Sequence, residues 1–205
     1  MNILFQGDSI TDCGRSKTEQ TDIGRGYPYL VSAELGLKEP TDHSFFNRGI
    51  SGNRIVDLYA RIKCDIINLK PDVMSILIGI NDVWHEVSRQ NGVDAPKFEK
   101  IYCMLIEEVL EALPDIKIMI LEPFVLKGCA TIESWDTFAS ETKLRAEAAR
   151  RVAEKYNLTF IPLQEMFDSM PDFVRPDYWA GDGVHPTAAG HELISNEWIK
   201  AFKAL

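Results

Sequence analysis

Two short stretches at opposite ends of the 205-residue chain carry side chains suited to acyl transfer. Near the start, Gly7-Asp8-Ser9 presents a hydroxyl; near the end, Asp182-Gly183-Val184-His185-Pro186 presents an imidazole beside a carboxylate. A serine attacks a carbonyl only when a base takes its proton, and a carboxylate on the far ring nitrogen holds the histidine in the right tautomer and stabilises the imidazolium. Residues three apart in a turn can face one side, so Asp182 is spaced to reach Nδ1–H of His185 and leave Nε2 free. Gly183 permits a tight turn, and Pro186 biases His185 toward an extended backbone. Each piece also has an ordinary reading, since Gly-Asp-Ser is a turn signal and Asp182 could simply precede a helix. His191, inside the last helix with no acid at turn spacing, is a poorer base. His43 and His85 have no carboxylate placed to orient them, although His85, three residues after Asp82, could line a pocket.

The elements around these residues alternate in type. Met1 to Ile10 is an apolar run breaking into Gly-Asp-Ser, as in a buried parallel strand that delivers Ser9 at its carboxyl end, where open α/β sheets bind ligands. Tyr27–Gly36 reads as a helix with Pro28 in its first turn and Gly36 closing it. A strand at Ser44–Asn47 leads into Arg48-Gly49-Ile50-Ser51-Gly52-Asn53. Ile55, Leu58, Ile62, Ile66 and Leu69 recur at helical spacing, predicting one helix over Ile55–Leu69 that stops at Pro71. Asp72–Ile78 is a strand emptying into the loop Gly79-Ile80-Asn81-Asp82. A helix from about Ala95 to Leu113, a strand at Ile116–Leu121, irregular chain over 126–137 and a charged helix from Ser140 to Tyr156 follow. The chain then gives a strand at Thr159–Leu163, a short helix at Gln164–Met170, a loop over 171–184 and a helix from Thr187 to Phe202, with Thr187 as its N-cap. Alternating strands and helices imply a flavodoxin-like three-layer α/β/α sandwich of about five parallel strands in order 2-1-3-4-5, forming one domain over 1–205.

Composition narrows the function. With 45% hydrophobic and 26% charged residues the chain is ordinary for a globular protein. A formal charge of −9 without a Lys/Arg cluster argues against nucleic acid or an anionic membrane as partner and favours a small neutral or cationic substrate. Cys13, Cys64, Cys103 and Cys129 form no CxxC pair, there is no ligand-spaced metal cluster, and neither GxGxxG nor GxxxxGK[ST] occurs, so no cofactor or metal is implied. No basic segment with a long apolar stretch precedes the first strand, so the expected location is the cytoplasm. A homo-oligomer is a further expectation, with Trp135, Phe138 and Trp198 as interface candidates.

Taken together, Gly7-Asp8-Ser9, Asn47 to Gly52, Gly79-Ile80-Asn81-Asp82 and Asp182-Gly183-Val184-His185 resemble the blocks of the SGNH hydrolases, the GDSL esterase/lipase family. The resemblance spans Gly7 to His185 and is specific as a joint pattern. It implies Ser9 as nucleophile, His185 as general base and Asp182 as its orienter. It also implies an oxyanion hole made by the backbone N–H groups of Ser9 and Gly49 and the side-chain amide of Asn81; turn chemistry is the alternative for the last two. Ser9 is followed by Ile10 and Thr11 rather than by the Gly-x-Ser-x-Gly elbow, which argues for a shallow, open site. Asp8 is expected to fix the turn by accepting from loop N–H groups and is also a candidate substrate contact. Asn53 and Arg54 are expected to tie down the second loop. Within the family, Gly7 to Asp12, Asn47 to Asn53 and Ile78 to Trp84 look most like intracellular acetylxylan esterases. That implies a serine esterase that cleaves O-acetyl groups from xylo-oligosaccharides through an acyl-enzyme, with Trp84 and Trp179 as candidate sugar contacts or, alternatively, packing residues. The other readings are a lysophospholipase or acyl-thioesterase of the same family, and a non-catalytic flavodoxin-like binding module.

Overall fold

Strand β1 (Asn2–Gly7) is buried from Ile3 onward because it lies in the middle of a sheet with neighbours on both sides and helices on both faces. In this computed structural model, which describes residues 1–171 and 173–205, β2 (Ser44–Asn47), β3 (Val73–Leu77), β4 (Lys117–Leu121) and β5 (Thr159–Ile161) join β1 in one parallel sheet. Its order is β2-β1-β3-β4-β5, as the alternation of elements predicts, and every paired strand runs parallel to its neighbours. The order reverses between β1 and β3, so the crevice at that switch point opens between the loops that follow these two strands.

The helices are α1 (Ser9–Asp12), α2 (Tyr27–Lys38), α3 (Ile55–Ala60), α4 (Ile62–Asp65), α5 (Ile80–Arg89), α6 (Ala95–Ala112), α7 (Trp135–Lys155), α8 (Leu163–Asp168), α9 (Pro176–Trp179) and α10 (Ala188–Phe202). Successive strand residues point to opposite faces. Ile3 and Phe5 accordingly join a core with α2 and α10, while Leu4, Met74 and Ile76 join another with α3, α6 and α7. Among the described residues no helix is long and apolar enough to cross a membrane.

Several elements depart from the sequence reading. Helix α2 runs through Gly36 to Lys38, since a solvent-facing glycine costs a helix only about 1 kcal/mol, and the chain turns away before Pro40 instead. The single helix expected over Ile55–Leu69 is broken at Arg61 (φ −114°, ψ 15°) into α3, α4 and a 3₁₀ turn at Ile67–Leu69. Arg61 is held there by its guanidinium, which donates to the carbonyls of Arg48 and Gly7 and to Asn53 Oδ1. Asn81 lies on helix α5, not in a loop; the N-cap of α5 is Gly79, whose lack of a side chain leaves no cap signature to read. Helix α7 starts at Trp135 rather than Ser140, again without a side-chain cap. Asp172, within the predicted loop over 171–184, lies outside the described residues; that stretch also contains α9. Phe138 and Trp198 are 1% and 0% exposed, so they are core residues and cannot form an interface between copies.

Candidate active site

Ser9 is the first residue of α1, set by its neighbour: Asp8 caps the helix, its Oδ1 accepting from Ile10 N–H at 3.0 Å. The carboxyl ends of β1 and β3 and the turn before α10 then meet. Ser9 Oγ lies 2.8 Å from His185 Nε2, and His185 Nδ1 lies 2.6 Å from Asp182 Oδ2. Asp182 Oδ1 accepts from the backbone N–H groups of Val184 (2.9 Å) and His185 (2.7 Å), which fixes the carboxylate before it meets the ring. The structure thus brings together the hydroxyl, imidazole and carboxylate picked out from opposite ends of the sequence.

The charges fit proton transfer. Burial opposes ionisation of Asp182, but the bonds from His185 and the turn N–H groups outweigh it and pull the carboxyl down to about 2. Its hydrogen bond with Asp182 raises the His185 imidazole above its ordinary value, against the effect of burial. His191 is pushed down to about 4, chiefly by burial; its Nδ1 accepts from Tyr27 N–H at 3.1 Å and its Nε2 faces Cys13 Sγ at 3.5 Å, so it serves the packing of α2 on α10. His43 does have an acid partner, contrary to the sequence reading: Glu39 Oε2 stands 2.5 Å from its Nε2, brought back by the turn after α2.

The oxyanion-hole assignment needs one correction. The Gly49 N–H is spent on Asn47 Oδ1 at 2.9 Å, and a Cβ on Gly49 would come within 2.3 Å of Asp12 N. Gly49 is therefore the close-packed joint between this loop and α1, with Asn47 Nδ2 donating to the Thr11 and Ile23 carbonyls to lock it. Gly52, three residues on, has left-handed backbone (φ +82°), open space around its Cα, and an N–H with no bond among the described residues. Ser51 beside it is anchored by Asp12 Oδ2 through both its N–H and its hydroxyl. The Asn81 amide donates to Asn53 O at 3.2 Å, which aims it at this stretch and leaves its second N–H uncommitted. Asn81 is 6% exposed.

Asp8 is 0% exposed, so it touches no substrate; its role is the cap, and burial pushes its carboxyl up to about 7. Asp82 is likewise buried and raised by burial, its two oxygens sharing the Ile55 N–H at 3.2 Å to fasten α3 to α5. Arg54 does hold the second loop's flank, donating to Asn91 O at 2.7 Å. Trp84 stands at the site, its ring 5.9 Å from that of His185 and edge-on to Phe138. Trp179 instead packs against the core beside α10, with its backbone carbonyl accepting from Thr187 N–H at 2.8 Å to brace the turn that carries His185.

The GDSL-like lipase/acylhydrolase family model matches residues 5–193. An acetylxylan esterase from Geobacillus stearothermophilus is 34% identical over 209 residues, covering 97% of this chain and 92% of that protein. A crystal structure of that organism's acetylxylan esterase Axe2 superimposes with a TM-score of 0.88 at 32% identity, covering 98% of this chain and 93% of the other. A candidate GDSL-like lipase from Parabacteroides merdae gives a TM-score of 0.92 at 36% identity, covering 98% and 94%. The fold, the matched span and these identities agree: the chain belongs to the GDSL-like lipase/acylhydrolase family, the SGNH hydrolases, and is a carboxylic ester hydrolase similar to acetylxylan esterases.

Proposed function

We propose that the protein removes O-acetyl groups from short xylo-oligosaccharides through an acetyl-enzyme on Ser9. The observation that carries this reading is the unbroken chain from Ser9 Oγ through the His185 ring to Asp182. His185 Nε2 takes the hydroxyl proton as Ser9 Oγ attacks the acetyl carbonyl. The resulting oxyanion is met by the N–H groups of Ser9 and Gly52 and the free amide hydrogen of Asn81, each such donor contributing roughly 3 kcal/mol to lowering the barrier. As the intermediate collapses, the imidazolium returns its proton to the sugar oxygen, which leaves as a hydroxyl. Water then enters, His185 takes its proton, and acetate departs from Ser9 by the reverse sequence. A sugar ring as leaving group is supported by the named activity of the similar Geobacillus enzyme and by Trp84, whose face beside His185 suits a pyranose.

The test has two parts. A fluorophosphonate is expected to label the protein once per chain, with labelling lost in Ser9→Ala and strongly slowed in His185→Ala. Acetate release from acetylated xylo-oligosaccharides is expected to exceed hydrolysis of acyl-CoA and lysolipid, and 4-nitrophenyl esters are expected to fall steeply in rate beyond acetate. Faster turnover of long acyl chains would replace the sugar ester with a lipid or thioester substrate.

A further inference from the structure

The three donors that meet the oxyanion come from three separate segments: Ser9 follows β1, Gly52 lies in the loop after β2, and Asn81 opens α5. Such donors lower a barrier only if they are aimed before the charge develops, so the segments have to be fixed against one another. Two bonds begin this. The Asn53 carbonyl accepts from the Asn81 amide at 3.2 Å, which ties α5 to the residue after Gly52. Ile50 N–H donates to Gly7 O at 3.1 Å, which ties the loop to the end of β1. One side chain grips both ties. Arg61, at the break between α3 and α4, donates from Nε to Asn53 Oδ1 at 2.9 Å and from Nη2 to Gly7 O at 3.3 Å. Its Nη1 donates to Arg48 O and to Asp65 Oδ2, both at 2.7 Å.

A guanidinium suits this task because its donors are held in one rigid plane and reach acceptors on different segments at once, whereas an ammonium gathers its donors on a single flexible atom. The Arg61 side chain is 12% exposed and most of its N–H groups are committed to protein acceptors, so it acts on the loops and not on substrate. Asn53 is thereby fixed at both ends, its side chain by Arg61 and its carbonyl by Asn81. We infer that Arg61 is a positioning residue of the oxyanion hole, setting the Gly52 and Asn81 donors in register with Ser9. This rests on the choice of oxyanion donors in the reading above.

The experiment measures kcat and KM on 4-nitrophenyl acetate for Arg61→Lys, Asn81→Ala and the double variant. Arg61→Lys keeps the charge beside Asp65 and loses the fork; it is expected to lower kcat by about 10- to 100-fold with KM little changed, up to the scale of a misplacement near 1 Å. In the Asn81→Ala background the same substitution is expected to cost at least about threefold less, because a donor that it aims is already gone. The rising limb of the pH profile is expected to stay in place, since neither Asp182 nor His185 is among the acceptors of Arg61. Asn53→Ala cuts one bond and leaves the arginine intact; it is expected to lower kcat several-fold with the same coupling to Asn81→Ala, and it decides the matter if Arg61→Lys does not fold. Unchanged kcat in Arg61→Lys, losses that multiply in full, or a shifted limb overturns the proposal. Failure of the oxyanion reading would show differently, as wild-type kcat in Asn81→Ala, and would take the proposal down with it.

Discussion

His185 has to be neutral to accept the Ser9 proton, yet Asp182 stabilises its protonated form, so activity and stability respond to pH in opposite directions. The raised imidazole contributes stability below its unfolded value of 6.5 and loses it as pH rises through the folded value; the rising limb of kcat/KM for 4-nitrophenyl acetate is therefore expected above 6.5. Asp182→Asn is expected to move that limb to lower pH and cut kcat by up to about 10⁴-fold, because the wrong tautomer then faces Ser9. A pH–rate profile unmoved by the substitution would remove Asp182 from the mechanism. Asp8 gives a separate test. Its native carboxyl holds its proton up to about 7 whereas the unfolded one releases it near 3.8, so stability declines as pH rises across that window. Asp8→Asn keeps an oxygen for Ile10 N–H and removes this one titration, so its stability is expected to fall less than the wild type's across that window, by on the order of 4 kcal/mol at most, as read from melts at several pH values. The Ser9, Asp182 and His185 cluster was legible because side-chain chemistry and a three-residue turn spacing point to one another. The Gly49 assignment failed at this same scale, although the signal was present: an asparagine side chain commonly bonds the N–H two residues on, and Asn47 does so to Gly49.

At the level of elements, the loop after β2 is clamped on one side and open on the other. Gly49 sits against the α1 backbone and Gly52 faces free space. Gly49→Ala is expected to destabilise by about 2–4 kcal/mol and lose activity in proportion to folding, since its Cβ meets backbone that cannot yield. Gly52→Ala is expected to cost only about 1–2 kcal/mol for its left-handed backbone and to lower kcat as the N–H shifts. Thermal melts beside kcat for the two variants check the assignment; a lowered kcat at unchanged melting temperature in Gly49→Ala, but not in Gly52→Ala, would restore Gly49 as the donor. Asn81→Ala is expected to lower kcat by about 10²–10³-fold with the fold intact. The central strands were readable because β1 and β3 are buried along almost their whole length, β1 running into Gly7 and β3 being followed by Gly79. Helix α5 and the break at Arg61 were not, because one begins on a residue without a side chain to cap it and the other is imposed by carbonyls of distant loops on a guanidinium.

Over the whole molecule, the turn bearing Asp182 and His185 has no sheet strand of its own and is held by the stretch that leaves β4. Leu126 N–H donates to Gly183 O at 2.8 Å, Ala130 N–H to Asp182 O at 3.1 Å and Cys129 N–H to Gly181 O at 3.3 Å, while Thr131 Oγ1 bonds Leu126 O at 2.7 Å to keep that stretch curled. The two backbones touch: a Cβ on Gly128 would lie 2.1 Å from Gly183 N and 2.2 Å from Asp182 C. No motif joins Gly128 to Asp182 in the sequence, since their contact exists only once β4 and α10 are packed. Gly128→Ala must therefore displace one backbone or the other, and a displaced turn carries the imidazole with it. A shift near 1 Å at the imidazole is enough for about a 10²-fold loss. The variant is expected to keep its far-ultraviolet circular dichroism, lose kcat on 4-nitrophenyl acetate by that factor with KM little changed, and bring the rising limb of its pH profile back toward 6.5 as Asp182 loosens its hold on the ring. Wild-type kcat in a folded Gly128→Ala protein would mean that the turn is set by α10 alone, and that the stretch after β4 merely covers it.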